Sequence, residues 1–102
     1  MTELLLLSGV ELGRRIARRE LSSRDAVDAH IAQIERVNPT INAVVAERFE
    51  AARREADAAD AALAREPDAP RSPFFGVPCT IKECFALEGM PNTAGLVARK
   101  GV

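Results

Sequence analysis

Gly76-Val77-Pro78-Cys79-Thr80-Ile81-Lys82-Glu83 is an apolar run entered through a glycine and a proline, and it carries one of only two lysines in the chain. Proline is tolerated at the first residue of a strand, and the β-branched Val77, Thr80 and Ile81 favour a pleated backbone. A buried strand over about residues 77–85 is predicted. Side chains alternate along a strand, so Thr80, Lys82 and Cys84 would share one face while Cys79, Ile81 and Glu83 take the other. Lys82 would then project into apolar surroundings. Desolvation lowers a lysine pKa from its reference of about 10.4 towards the range where the neutral amine acts as a base, at about 1.4 kcal/mol per unit. Periodicity alone leaves a second reading open, in which Lys82 lies at a strand end and snorkels to solvent or pairs with Glu83 or Glu88.

The chain changes character on both sides of this run. Downstream, Glu88-Gly89-Met90-Pro91-Asn92 marks a turn. Upstream, Pro67, Pro70 and Pro73 fall within residues 66–75, a linker that no helix could cross. Before the linker, Phe49, Ala52, Ala56, Ala59 and Leu63 recur three and four apart, predicting a helix over about residues 46–65. Its small alanines would admit a close neighbour. Glu50 with Arg54, and Arg53 with Asp57, are spaced to pair on the exposed side. Ile41-Asn42-Ala43-Val44-Val45 suits a brief strand or an extended linker.

Residues 23–38 place Ala26, Val27, His30, Ile31, Ile34 and Val37 on one helical face, with Ser22 or Ser23 as cap and Asn38-Pro39 as stop. His30, at the edge of that stripe, reads as a packed or partly exposed residue. Another helix is predicted over about residues 9–20. Ser8 and Glu11 have capping-box spacing there, and Leu12 and Ile16 stack on one face. Its Arg14, Arg15, Arg18 and Arg19 read as a solvated face.

Composition excludes several classes of function. Fourteen basic residues against fifteen acidic ones give a charge of -1, which supplies no net field for a polyanion, so nucleic acid is not an expected partner. Met1-Thr2-Glu3-Leu4-Leu5-Leu6-Leu7 lacks the charge pattern and apolar length of a signal peptide, and no stretch approaches the ~20 apolar residues of a membrane span. A cytoplasmic location is expected, with Cys79 and Cys84 as reduced thiols. Two Cys and one His do not make a closed zinc site.

The segment Gly76 to Glu83, followed by Glu88-Gly89-Met90-Pro91-Asn92-Thr93-Ala94-Gly95, resembles the amidase signature family, with its G-V-P-x-x-[IV]-K-[DE] strand and a later G-x-P-[ST]-T-x-G-S-like stretch. Glu11-Leu12, Leu21-Ser22-Ser23, Ile34-Glu35-Arg36-Val37-Asn38-Pro39, Ile41-Asn42-Ala43-Val44 and Ala59-Asp60 also resemble the family's N-terminal helices. Glu83 stands where Asp is commoner, and Leu96 replaces a usual Ser. Phe74-Phe75 and Cys84-Phe85-Ala86-Leu87 most resemble the fatty-acid amide hydrolase branch.

The resemblance implies an α/β fold, with N-terminal helices and the first strand of a mixed sheet, although residues 1–102 alone are expected to be helix-rich. It implies amide hydrolysis by a serine, a second serine in a cis peptide, and a lysine that matches Lys82. That lysine acts as general base and proton shuttle, and no cofactor or metal is required. Ser8, Ser22, Ser23 and Ser72 read as two helix caps and a loop, so both catalytic serines are expected outside these 102 residues. The chain is accordingly expected to be an N-terminal portion, inactive alone. Its partner is a small-molecule amide in the full-length form, with a homodimer left open. The amidase subunit of a tRNA-dependent amidotransferase is the alternative within the family, and a small helical adaptor the alternative outside it.

Overall fold

The computed structural model describes residues 2–101; Met1 and Val102, the ends of the expected 1–102 unit, lie outside the described residues. Four α-helices run in chain order: α1 over Thr2–Leu5, α2 over Gly9–Ala17, α3 over Ser23–Ile41 and α4 over Phe49–Arg65. A 3-10 turn follows at Val97–Arg99. No strand forms among the described residues.

Much of each predicted apolar face is buried, while Ile34, Val37, Phe49 and Ala52 are half-buried. Leu12 and Ile16 of α2 meet Ala26 and Ala29 of α3 and Leu63 of α4 in one cluster, joined by Leu4 of the short α1, which the sequence reading did not anticipate. A second cluster sets Val27 and Ile31 of α3 against Ala56 of α4, with Phe49 and Ala52 at its edge. Ala56 and Ala59 are both buried, consistent with the close approach that alanine permits. His30 is half-buried, with Nδ1 2.7 Å from the Ala26 carbonyl oxygen.

Three helix ends differ from expectation for identifiable reasons. Helix α2 stops at Ala17 rather than Glu20 because Arg19 turns left-handed (φ 60°), while the Arg19 and Glu20 amides donate back to the Ile16 and Arg15 carbonyls. This double closure is a Schellman end built on arginine. Helix α3 passes through Pro39, and its terminator is the left-handed Asn42, whose amide donates to the Asn38 carbonyl. Proline removes only the bond to the carbonyl four residues earlier, on Glu35, which is exposed where water can serve it. Helix α4 begins at Phe49, not Ala46. Asn38 exchanges two side-chain bonds of 2.9 Å with the Val44 backbone and holds that stretch as a loop, so the brief strand considered for residues 41–45 is also absent.

Charge pairing differs as well. Arg53 reaches Glu50 and, across the helix pair, Asp28; Arg24 reaches Asp28 and Asp57. The expected Glu50–Arg54 and Arg53–Asp57 pairs give way to contacts that join α3 to α4, because Asp28 faces α4 and accepts from both arginines. Burial pushes the Asp28 carboxyl up, but the bonds from Arg53 and Arg24 outweigh it and hold the group below the ordinary carboxylate range. On α2 the arginine face is solvated as expected, with Arg14 and Arg15 on Glu11 and Arg18 on Glu20.

The predicted strand over residues 77–85 is corrected by the structure. Residues 77–82 run without regular structure, and a turn follows at 83–85. A strand exists through ladder bonds to a neighbour, and β-propensity alone cannot supply them. No ladder of backbone bonds joins it to another segment among the described residues.

Candidate functional site

The stretch carrying Lys82 is fixed to the helices from its N-terminal side. Arg71 in the proline-rich linker donates to the carbonyls of Ala62, Glu66 and Ala69, closing the end of α4. Its guanidinium also lies 5.1 Å from the centre of the Phe75 ring. The linker then passes across Gly13 so closely that a Cβ there would stand 2.0 Å from the Pro73 carbonyl oxygen. Only glycine permits this contact.

Ser23 makes the next attachment. It is 1% exposed, and its hydroxyl donates to the Gly76 carbonyl at 2.5 Å. Gly76 itself is left-handed (φ 80°), with Ile16 and Ser23 atoms 3.2 Å from where a Cβ would stand. Behind Ser23, Asp60 of α4 accepts from the Ser23 and Arg24 amides at 2.7 and 3.0 Å. Negative charge at a helix start satisfies donors that have no partner within the helix. One carboxylate on α4, one buried serine on α3 and one glycine carbonyl thus form a continuous tie.

Beyond Gly76 the contacts thin out. Cys79, Thr80, Ile81, Lys82, Cys84 and Phe85 are not buried, and both cysteines are free. Lys82 therefore lacks the apolar enclosure expected of it. Its side chain pairs with neither Glu83 nor Glu88 among the described residues, while its carbonyl accepts from the Phe85 amide at 3.0 Å.

Glu83 is half-buried and is the residue whose role sequence reasoning missed. Its carboxylate accepts from the Thr93 amide, from the Thr93 hydroxyl at 2.8 Å and from the Ala94 amide at 2.6 Å. These bonds, the Thr93 amide foremost, hold the Glu83 carboxyl below the usual carboxylate range. The segment it grips is a compact turn. Ala94 and Gly95 are left-handed, the Leu96 amide donates to the Thr93 carbonyl, and Arg99 Nε donates to the Asn92 carbonyl. The available signal is a carboxylate ten residues ahead of a Thr-Ala-Gly turn.

A shallow recess of about 360 Å³ opens between Val45 and Ala46 on one side and Glu83, Pro91, Thr93 and Gly95 on the other; Lys82 does not line it. No cluster of three or more metal-ligating side chains occurs among the described residues. The four serines have structural partners. Ser8 and Ser22 accept from the Glu11 and Asp25 amides as helix caps, Ser72 accepts from the Phe74 amide, and Ser23 holds Gly76. Ser23 is thus a buried tie, where a cap or loop role was expected. Glu11 does not complete the capping box, because its carboxylate turns to Arg15. No described helix is long and apolar enough to cross a membrane.

The chain is 47% identical over 102 residues to fatty-acid amide hydrolase 2-A of Danio rerio and 46% identical over 102 residues to fatty-acid amide hydrolase 2 of Homo sapiens, covering 95% of this chain and 19% of each relative. It is 44% identical over 95 residues to a glutamyl-tRNA(Gln) amidotransferase subunit of Nitratidesulfovibrio vulgaris, covering 93% of this chain and 19% of that protein. The chain therefore spans about a fifth of the length of these relatives. No solved structure matches. A family model described as amidase matches residues 25–102, which include most of α3, all of α4, the Ser23-held Gly76, Lys82 and the turn gripped by Glu83, and on that match the chain belongs to the amidase family.

Proposed function

We propose that the protein is an amide hydrolase in which Lys82 is the general base and proton shuttle of a serine, cis-serine and lysine mechanism. The observation that carries this reading is the placement of Lys82. It is one of two lysines, it lies inside the span matched by the amidase family, and it follows a backbone stretch tied to the helical core at Gly76. In this reading both serines come from sequence outside residues 1–102. Residues 77–85 become a strand when a sheet partner supplies the ladder, giving the α/β fold. Covering that strand would enclose Lys82 in the apolar surroundings that a lysine base needs. The 102 residues alone supply the lysine and carry no activity.

The acyl donor in this proposal is a small-molecule amide of the fatty-acid type. Support comes from the fatty-acid amide hydrolases at 46 and 47% identity and from the apolar flank Cys84-Phe85-Ala86-Leu87. A cytoplasmic setting, in which Cys79 and Cys84 stay reduced, belongs to the same reading. The 44% identity to a glutamyl-tRNA(Gln) amidotransferase component favours a second reading, in which the protein works within a transamidating complex. The gene product that carries this sequence decides between them. Release of ammonia from a long-chain primary amide, without nucleotide, tRNA or partner proteins, is the expected result. Turnover only with charged tRNA and partner proteins would replace it with the second reading, and no turnover of any amide would overturn both.

A further inference from the structure

Lys82 sits between two attachments of different kinds. On the N-terminal side, the Ser23 hydroxyl holds the Gly76 carbonyl. Lys82 lies well beyond that anchor, and residues 77–82 contribute no regular backbone structure to hold the lysine in place. A four-carbon side chain on such a stretch samples many positions. The residue directly after Lys82 supplies the second attachment.

Glu83 spreads its two carboxylate oxygens over different donors. Oε1 takes the Thr93 amide and hydroxyl, and Oε2 takes the Ala94 amide. The Thr93 hydroxyl is in turn an acceptor for the Gly95 amide at 3.3 Å. Three consecutive backbone amides, of residues 93, 94 and 95, are therefore satisfied directly or through one hydroxyl by the neighbour of Lys82. Ala94 is left-handed (φ 51°), a conformation unfavourable for alanine that the carboxylate bonds and the Thr93–Leu96 turn help to hold. The gripped turn is fastened independently by Arg99 on the Asn92 carbonyl.

We propose that Glu83 is the positioning residue of Lys82: its carboxylate clasps the Thr93-Ala94-Gly95 turn and so fixes the peptide from which the lysine projects. This role rests on the amidase reading above, while the clasp itself does not. Glutamine at position 83 keeps one acceptor oxygen and turns an NH2 group on a backbone or hydroxyl donor, so at least one bond is lost to a donor facing a donor. Aspartate keeps both acceptors on a stem one methylene shorter.

The test has two arms. In the 102-residue chain, amide NMR spectra of Glu83→Gln are expected to shift the Thr93, Ala94 and Gly95 resonances and leave α2 to α4 in place. Unmoved 93–95 resonances would overturn the clasp. In the gene product that carries the chain, Glu83→Gln is expected to lower kcat about tenfold or more with KM changed less than about twofold, the signature of a displaced catalytic group. Glu83→Asp is expected to restore kcat to within about threefold of the wild type. Equal losses in the two variants, or a loss confined to KM, would overturn the positioning role. Lys82→Ala in parallel separates the levels: full activity there overturns the amidase reading and with it the role of Glu83, and the NMR arm still decides the clasp.

Discussion

Ile16 is 1% exposed and Phe85 is 64% exposed, and these two apolar residues mark the contrast between residues 9–65 and residues 77–101. The first region draws most of its closure from its own residues. Serine caps start α2 and α3, left-handed residues end them, and Asp28, Arg24 and Arg53 join α3 to α4. Residues 77–85 of the second region have the composition of a strand but no ladder partner among the described residues, and the region relies on short turns, the Gly76 tie and the Glu83 clasp. Helical bonds form within one segment, whereas a strand depends on another segment for every bond. The same sequence can therefore specify its helices from within, whereas a strand over residues 77–85 belongs to the proposal that a sheet partner is supplied.

The largest expected effect lies in the helical region. Ile16→Ala is expected to cost about 2–5 kcal/mol, read from urea unfolding, because the side chain is enclosed by α2, α3 and the Gly76 segment. A cost below about 1 kcal/mol would mean that this cluster is not the core. Asp60→Ala comes next, at about 2 kcal/mol, since two helix-start amides lose a charged acceptor.

Ser23→Ala is expected to cost about 1–2 kcal/mol and, more tellingly, to speed hydrogen exchange at residues 75–77 while the α3 and α4 interiors stay protected. Uniform loosening would erase the distinction between the two regions. Asp28→Asn acts through pH. The folded-state pKa of Asp28 lies below its unfolded value, so its stabilisation is present above about pH 4 and is lost as pH falls through the folded value. The variant should show a shallower loss of stability on the acid side, measured as the urea midpoint against pH. The smallest effect belongs to Phe85→Ala, expected to change stability by less than about 0.5 kcal/mol because its ring is in solvent.

The helical region is legible in the sequence where the signal is periodic. Leu12 with Ile16, Ala26 with Val27 and Ile31, and Ala56 with Ala59 and Leu63 all stand buried at the predicted spacing. Ends are harder: Arg19 adopts a left-handed conformation that glycine would advertise and arginine does not, and Asn42 adopts it four residues beyond Asn38. The Asp60–Ser23–Gly76 tie joins residues 37 and 53 positions apart, and local pattern carries no information on such pairs. Lys82 stands out through scarcity and motif, whereas the task of Glu83 emerges only from its bonds to Thr93 and Ala94. The strand over residues 77–85 is a reading of propensity, which describes what a segment accepts and not whether a partner is present.

The most direct test of the central claim is kcat/KM for Lys82→Ala in the gene product that carries these residues, assayed on a long-chain amide beside the wild type. Loss of a general base predicts a fall of about 10²- to 10⁴-fold with the fold retained by circular dichroism. A value within about threefold of the wild type would contradict the account.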